Sequence, residues 1–505
     1  MLLITIDRAS KSSLQEQIVN EILAHIEKGV LEPGSKIPSS RMLAKQLKLS
    51  RNTVMNAYQR LLAEGFIETA ASSETRVCEV LPKDLISVCA NNDGVEKKAL
   101  DSEGKRPKPK HAPVIFSGPV QEIVNKNGRR ILYDFWVGRA HQKLFPSKIW
   151  QELLRDCIGY SSRQLAQYGD PAGLAPLRDA IAEHVRYTRA IPATADQVVI
   201  TVGIQEALNI VSRLFVTKGD KVLIENPCYQ GAAFVLKSYG VELVPIRVDS
   251  QGLDVSKLPE QGSSLIYTTP SHQYPTGVTM SLERREKLIE WAERTGTYII
   301  EDDYDSDFRY DSAPLHALSG LSKNGHVIYM GTFSKSVGAG LRLGYMVLPQ
   351  QLVKPAVQVK TLLNNHNGWL DQAVMAKFIQ EGHFERHLRM IRHDYKTRRD
   401  VLIHELRKNF GNSQIRGVDG GMHITWTMPK CSVTAEELKQ EAVKTGVGLY
   451  TMNSGGAIEL TETKKSARQI VLGYSSLDER QIVEGIRRVR KTLNSMGCGA
   501  SSVAL

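Results

Sequence analysis

The stretch VIYMGTFSKSVGAGLRLGYMVLP, residues 327–349, carries the pattern that decides the architecture. An apolar, β-rich run, Val327–Met330, ends in a turn of small and hydroxyl residues that presents Lys335 among Thr332, Ser334, Gly338 and Gly340. A second apolar run, Tyr345–Leu348, follows, with Arg342 between them. A lysine on a short turn between buried strands sits near low-dielectric surroundings. There its amine loses its proton more readily and becomes available for covalent use.

Working outward, five more apolar runs precede this one: Val198–Val202, Val222–Ile224, Leu243–Ile246, Leu265–Tyr267 and Tyr298–Ile300. Most are separated by amphipathic helical patterns. This alternation predicts an α/β body with a mainly parallel sheet covered on both faces. In such sheets a site lies beyond the carboxyl ends of the strands. TVGIQEAL (201–208) joins a strand to a helix through Gly203, so the amides of Gly203, Ile204 and Gln205 can face an anion. ENPCYQG (225–231) bends at Pro227 and Gly231 around Tyr229, which suits either a core tyrosine or an aromatic stacked on a planar ring. TTPSHQYPTG (268–277) is a rigid polar loop holding His272 and Tyr274. EDDYDSDFRY (301–310) places Asp302 and Tyr304 at the end of a buried run, where carboxylates need a cation or donors.

Together these five segments resemble the fold type I, aspartate-aminotransferase-like enzymes that use pyridoxal 5'-phosphate. The resemblance implies a role for each residue. Lys335 would form the Schiff base with the cofactor aldehyde. Asp302 would keep the pyridine nitrogen protonated, Tyr304 would bond the phenolic oxygen and Tyr229 would stack on the ring. Gly203, Ile204, Gln205, Thr332, Ser334 and Arg342 would neutralise the phosphate. Most aminotransferases of this type carry Asn-Pro-x-Gly where this chain has Tyr274-Pro275-Thr276-Gly277, so Tyr274 cannot repeat the asparagine's bond.

The amino-terminal zone, residues 1–80, reads differently. Leu14, Ile18, Ile22 and Ile26, with Val19 and Leu23 beside them, form one amphipathic stripe. Ser39 is placed to cap a helix from Ser40 to about Leu47, and Ser50 one from Arg51 to about Glu64. The third helix turns Val54, Ala57, Tyr58, Leu61 and Leu62 to a core and Arg51, Asn52, Thr53, Asn56 and Arg60 outward. Phe66–Glu68 and Arg76–Val80 can pair as a hairpin. Helix, helix, turn, helix and hairpin is a winged helix-turn-helix. Short polar residues at the start of the third helix are what a reader of the major groove needs, although such a face can also be merely wet.

The stretch PGSKIPSSRMLAKQLKLSRNTVMNAYQRLLAEGFIE resembles the DNA-binding domain of GntR-type bacterial regulators. That resemblance implies DNA contacts from Ser39, Arg41, Ser50, Arg51, Asn52 and Thr53. The family commonly closes its wing with Gly-Ser-Gly-Thr, whereas residues 71–75 here are Ala-Ser-Ser-Glu-Thr. The zone carries 10 Lys/Arg and 9 Asp/Glu, so phosphate contacts must come from local placement rather than a strong field.

Between the zones, residues 81–125 lose periodicity and include DSEGKRPKPKHAP, the composition of a flexible linker, solvated or touching phosphates. Residues 126–505 then form the body. A GntR-type head, a long tether and an aminotransferase-like body resemble the MocR/GabR subfamily of regulators. QYGDPAGLAPLRDAIAEHV (167–185) and GGMHITW (420–426) match it too. The subfamily implies a head-to-tail homodimer on double-stranded operator DNA, with a small-molecule effector read through a lysine-bound cofactor. The alternative is a working aminotransferase with an accessory DNA-binding domain. Fold type I proteins that bind α-amino acids usually place an arginine where this chain, in QIVLGYSSL (469–477), has Val471. Either the effector lacks an α-carboxylate, or another basic residue binds it, or the effector is pyridoxal phosphate itself.

Composition agrees with this division. The 505 residues are 42% hydrophobic and 24% charged with a net charge of +11, ordinary for a globular multidomain protein. No apolar run is long enough to cross a membrane, and the start is too short for a signal peptide, so a cytoplasmic protein is expected. The six cysteines include no CxxC pair and read as reduced thiols; no metal site is expected.

Overall fold

A computed structural model of the chain describes residues 4–7, 10, 12–69, 74–79, 121, 131–159, 162–311, 315–463 and 465–498. Backbone contacts divide it into two compact units, residues 1–113 and 114–505. Apart from Gln121, the linker expected at 81–125 lies outside the described residues.

In the first unit, helices Leu14–Glu27, Ser40–Leu47 and Arg51–Ala63 pack around one core. The first buries Ile18, Val19, Ile22, Leu23 and Ile26, the stripe that the four-residue spacing predicts. Ser39 and Ser50 cap the other two by accepting from the amides of Met42 and Thr53. Lys48, in the left-handed region at φ 54°, ends the second helix and makes the turn. Val54, Ala57, Tyr58 and Leu61 are buried as expected, but Leu62 is 38% exposed. It follows Leu61 by about 100° around the helix, which carries it past the edge of the core face. Tyr58 locks the third helix by donating to Pro38 O at 2.6 Å. The wing forms from Ile67–Thr69 and Thr75–Val77, antiparallel, with Ile67 opposite Val77.

In the second unit, all seven expected runs join one eight-stranded sheet. Its order is Val198–Thr201, Gly344–Val347, Val327–Thr332, Tyr298–Asp303, Leu265–Thr268, Lys221–Asn226, Glu242–Asp249 and Gly252–Leu253. The central strands pair in parallel, while Gly344–Val347 runs antiparallel to both its neighbours. Alternate residues point to opposite faces, and both faces are covered. Val199, Ile224, Ile328 and Met330 meet helices Ile204–Phe215 and Gln230–Ser238. Val198, Ile200 and Tyr329 meet a second core that includes helix Ala175–Arg189. A smaller antiparallel sheet, Ile415–Arg416, His423–Thr427 and Gln469–Gly473, packs with helices His383–Phe410 and Glu479–Ser495.

One expectation about the cysteines is corrected. Cys431 and Cys498 are joined in a disulfide, with Cα atoms 5.9 Å apart. The chain folds back after the last helix, with Cys498 N donating to Leu493 O, and meets the loop that follows Met428. A separation of 67 residues leaves no local spacing to announce the pair. Cys78, Cys157 and Cys228 are free. Among the described residues no helix is long and apolar enough to cross a membrane.

Candidate cofactor cavity and DNA-reading surface

Lys335 sits on a wide helical turn, Ser334–Gly338, directly after strand Val327–Thr332. Its Nζ donates to Gly138 O at 3.1 Å. Desolvation lowers its pKa against the opposing pull of Asp305 and Asp302, so the amine is easier to deprotonate than a surface lysine. Gly138 has φ 76°, and a Cβ there would lie 2.5 Å from Lys335 Nζ. The position therefore favours glycine for its backbone, and any side chain there would make the Lys335 amine move.

Asp302 is the penultimate residue of the neighbouring strand, Tyr298–Asp303, and is 4% exposed. Tyr267 donates to its Oδ2 at 2.6 Å, while Oδ1 is buried with no hydrogen-bond partner. Burial pushes its carboxyl from 3.8 up to about 7; Tyr267 and Lys335 oppose the rise and Asp303 adds to it. A buried acceptor without a donor is costly, and the N–H of a protonated pyridine would supply one. The residues present fit that group.

A cavity of about 590 Å³ is lined by nine of the ten residues expected to hold the cofactor: Ile204, Gln205, Tyr229, Asp302, Tyr304, Thr332, Ser334, Lys335 and Arg342. The tenth, Gly203, lies just behind. It precedes helix Ile204–Phe215 with φ 86°, and a Cβ there would come within 3.1 Å of Arg342 Nη2. Arg342 donates to Val202 O at 2.7 Å, and Thr332 Oγ1 lies 3.0 Å from Ser334 Oγ. Helix-start amides, two hydroxyls and a guanidinium thus converge, a constellation suited to a phosphate. Tyr229 Oη accepts from Gln121 at 2.8 Å and Gln205 at 3.3 Å. Tyr304 donates to His272 O at 3.0 Å.

In the head, Arg41, Arg51 and Asn52 are exposed at the starts of the second and third helices. Ser39 and Ser50 are exposed too, but their hydroxyls already serve as caps, and Ser50 Oγ also lies 2.8 Å from Thr53 Oγ1. In the wing, Glu74 pairs with Lys36 at 2.7 Å and Arg76 at 3.1 Å, which holds its pKa below the usual carboxylate value.

Residues 14–77 match the gntR family of bacterial regulatory proteins, and residues 139–456 match aminotransferase class I and II. The probable rhizopine catabolism regulatory protein MocR of Rhizobium meliloti is 33% identical over 97% of this chain and 95% of its own. The chain is a MocR-type regulator. The pyridoxine biosynthesis transcriptional regulator PdxR of Corynebacterium glutamicum is 26% identical over 93% of both chains. A kynurenine aminotransferase of Pyrococcus horikoshii, solved with PMP, superposes with a TM-score of 0.66 at 28% identity, over 74% of this chain and 96% of that one. This MocR-type protein therefore joins a DNA-binding head of the GntR family to a fold type I body of the pyridoxal phosphate-dependent class.

The MocR-type body contains features that the sequence reading did not single out. Tyr267, taken as the end of a core strand, bonds Asp302 because Tyr267 pairs with Ile300, two residues before it. Trp136, Val137, Gly138 and Arg139 line the cavity although they lie far upstream of the five motifs. A turn-forming glycine after the short strand Tyr133–Asp134 was the available signal. His272 does not line the cavity; its Nδ1 pairs with Asp305 at 2.8 Å, and with His423 these form a buried cluster. Val471 is 1% exposed and packs with Trp136, Val137, Tyr274, Tyr450, Met452 and Ala457. Arg468, the nearest preceding arginine in the chain, does not take the place of a cation at Val471 but donates to Met428 O.

Proposed function

We propose that the body binds pyridoxal 5'-phosphate through Lys335 and reports an amino compound, or the cofactor itself, to the DNA-binding head. The observation that carries this reading is the pairing, in one cavity, of a desolvated Lys335 amine with a buried, unpartnered Asp302 oxygen. Pyridoxal phosphate supplies an electrophilic aldehyde that condenses reversibly with primary amines. Lys335 would hold it, Asp302 and Tyr304 would orient the ring, and Tyr229 would cover one face. Gly203, Ile204, Gln205, Thr332, Ser334 and Arg342 would hold the phosphate.

Ser39, Arg41, Ser50, Arg51, Asn52 and Thr53 would meet operator DNA. Arg51 and Asn52 suit base edges, whereas Ser39 and Ser50, already used as caps, suit phosphates through the helix-start amides beside them. A head-to-tail homodimer in the cytoplasm is the assembly we propose. An effector shifts it only by binding its two arrangements with different affinity. The apolar packing around Val471 favours regulation over sustained transamination of α-amino acids, because no cation stands at that position.

The test is a spectral titration of the cofactor-loaded protein with amines and amino acids, then DNA binding with each ligand that responds. Loading that needs Lys335, together with ligand-dependent binding to the DNA upstream of its own gene, is the expected result. Steady keto-acid-dependent turnover with an amino donor would instead support the enzyme reading.

A further inference from the structure

Once the groups above are assigned, the cavity holds an unassigned cation. Among the described lining residues, the basic side chains are Lys335, Arg342 and Arg139. Arg139 follows Gly138, whose carbonyl accepts from the Lys335 amine. Its own carbonyl accepts from Ser475 Oγ at 2.7 Å, so its backbone is fixed at both ends of the residue. Its Nη1 donates to Asp134 Oδ2 at 2.9 Å, and its guanidinium carbon lies 4.8 Å from the Trp136 ring centroid. Tyr450 donates to the other Asp134 oxygen at 2.5 Å. Asp134 therefore works as a fixed post that aims the guanidinium. The remaining Arg139 donors have no hydrogen-bond partner among the described residues, and the side chain is 39% exposed.

We infer that Arg139 is the oxyanion-binding residue of this cavity, the side chain that selects amines carrying an acid group over plain amines. The planar fork offers paired donors to two oxygens at once, and the indole keeps one of its faces dry. Trp136, Val137 and Tyr274, which line the cavity, belong to the apolar cluster around Val471, so that cluster offers such a group no charge. This inference rests on the cofactor reading of the cavity given above.

The test compares matched ligands on full-length, cofactor-loaded protein: propylamine, β-alanine and taurine, against wild type, Arg139→Leu and Arg139→Lys. Binding is read from the visible absorption of the bound cofactor and, separately, from calorimetric heat. Wild type should prefer at least one of the two acids over propylamine by about tenfold or more. Arg139→Leu should bring the ratio of acid to propylamine affinity, taken within the variant, close to one, and Arg139→Lys should keep part of the preference. β-Alanine against taurine separates carboxylate from sulfonate. Equal affinity for acid and amine in wild type, or an undiminished preference in Arg139→Leu, would overturn the inference. Should Arg139→Leu fail to fold, the wild-type ratio and Arg139→Lys decide. Failure of the cofactor reading is visible before any amine is added, as a wild-type protein that takes up no chromophore, and it would remove both readings together.

Discussion

The head and the body place their polar residues in opposite surroundings. Arg41, Arg51 and Asn52 stand in water on a small helical surface, with chain neighbours supplying the caps that hold them. Asp302 and Lys335 are enclosed by protein, and each departs from its ordinary pKa in the direction that burial imposes. The wet site needs local order alone, because its charges cost little to expose. The dry site needs a sheet, since segments near 138, 204, 229, 302 and 335 meet there. Ionic strength should therefore govern the head and pH the body.

The sharpest way to break that contrast is Lys335→Ala. It should abolish covalent retention of pyridoxal phosphate altogether, measured as loss of the visible chromophore after dialysis, while binding to operator DNA by the head persists. Gly138→Ala should lower chromophore yield by less, because the positive φ strains the backbone and the lysine end must move from a methyl carbon 2.5 Å away. In the head, Arg51→Ala and Asn52→Ala should each cost about 1–3 kcal/mol of operator affinity if they read base edges. Competition with mutated operators checks this, and a uniform loss across sequences would assign them to phosphates instead.

Acidity sharpens the contrast next. The Asp302 carboxyl is raised from 3.8 to about 7, so the folded, cofactor-free protein keeps a proton that the unfolded chain releases. Stability from this group is full below the unfolded value and is lost as the pH rises through about 7. Asp302→Asn should flatten that part of the melting-temperature profile, and calorimetry at a series of pH values would show whether it does. The smallest effect is expected in the wing. Glu74→Ala frees Lys36 and Arg76 from an exposed pair, so DNA binding should tighten modestly and its salt dependence steepen by about one to two phosphate contacts.

The two regions were legible in the amino-acid sequence to different depths, for the same reason. In the head, periodicity and capping serines act over a few residues, so all three helices and the hairpin were legible nearly to their ends. Leu62 was misplaced because it stands at the margin of the apolar stripe, where spacing alone does not separate core from surface. In the body, the motifs after each strand end were legible because each is a compact signal. Tyr267 and Arg139 were not, because their roles come from strand register and from chain segments that meet only after folding. The Cys431–Cys498 pair is the same case, being contact without local pattern.

Gly138 gives the body one more property. The polypeptide arriving from the head passes this residue before it reaches any of the five motifs, and here it presses against the Lys335 amine. The doorway of the body is thus also the floor of its reactive chamber. Any tenant that displaces the amine takes away the hydrogen bond that the Gly138 carbonyl accepts, and so loosens a stretch of wall that precedes all five motifs along the covalent chain.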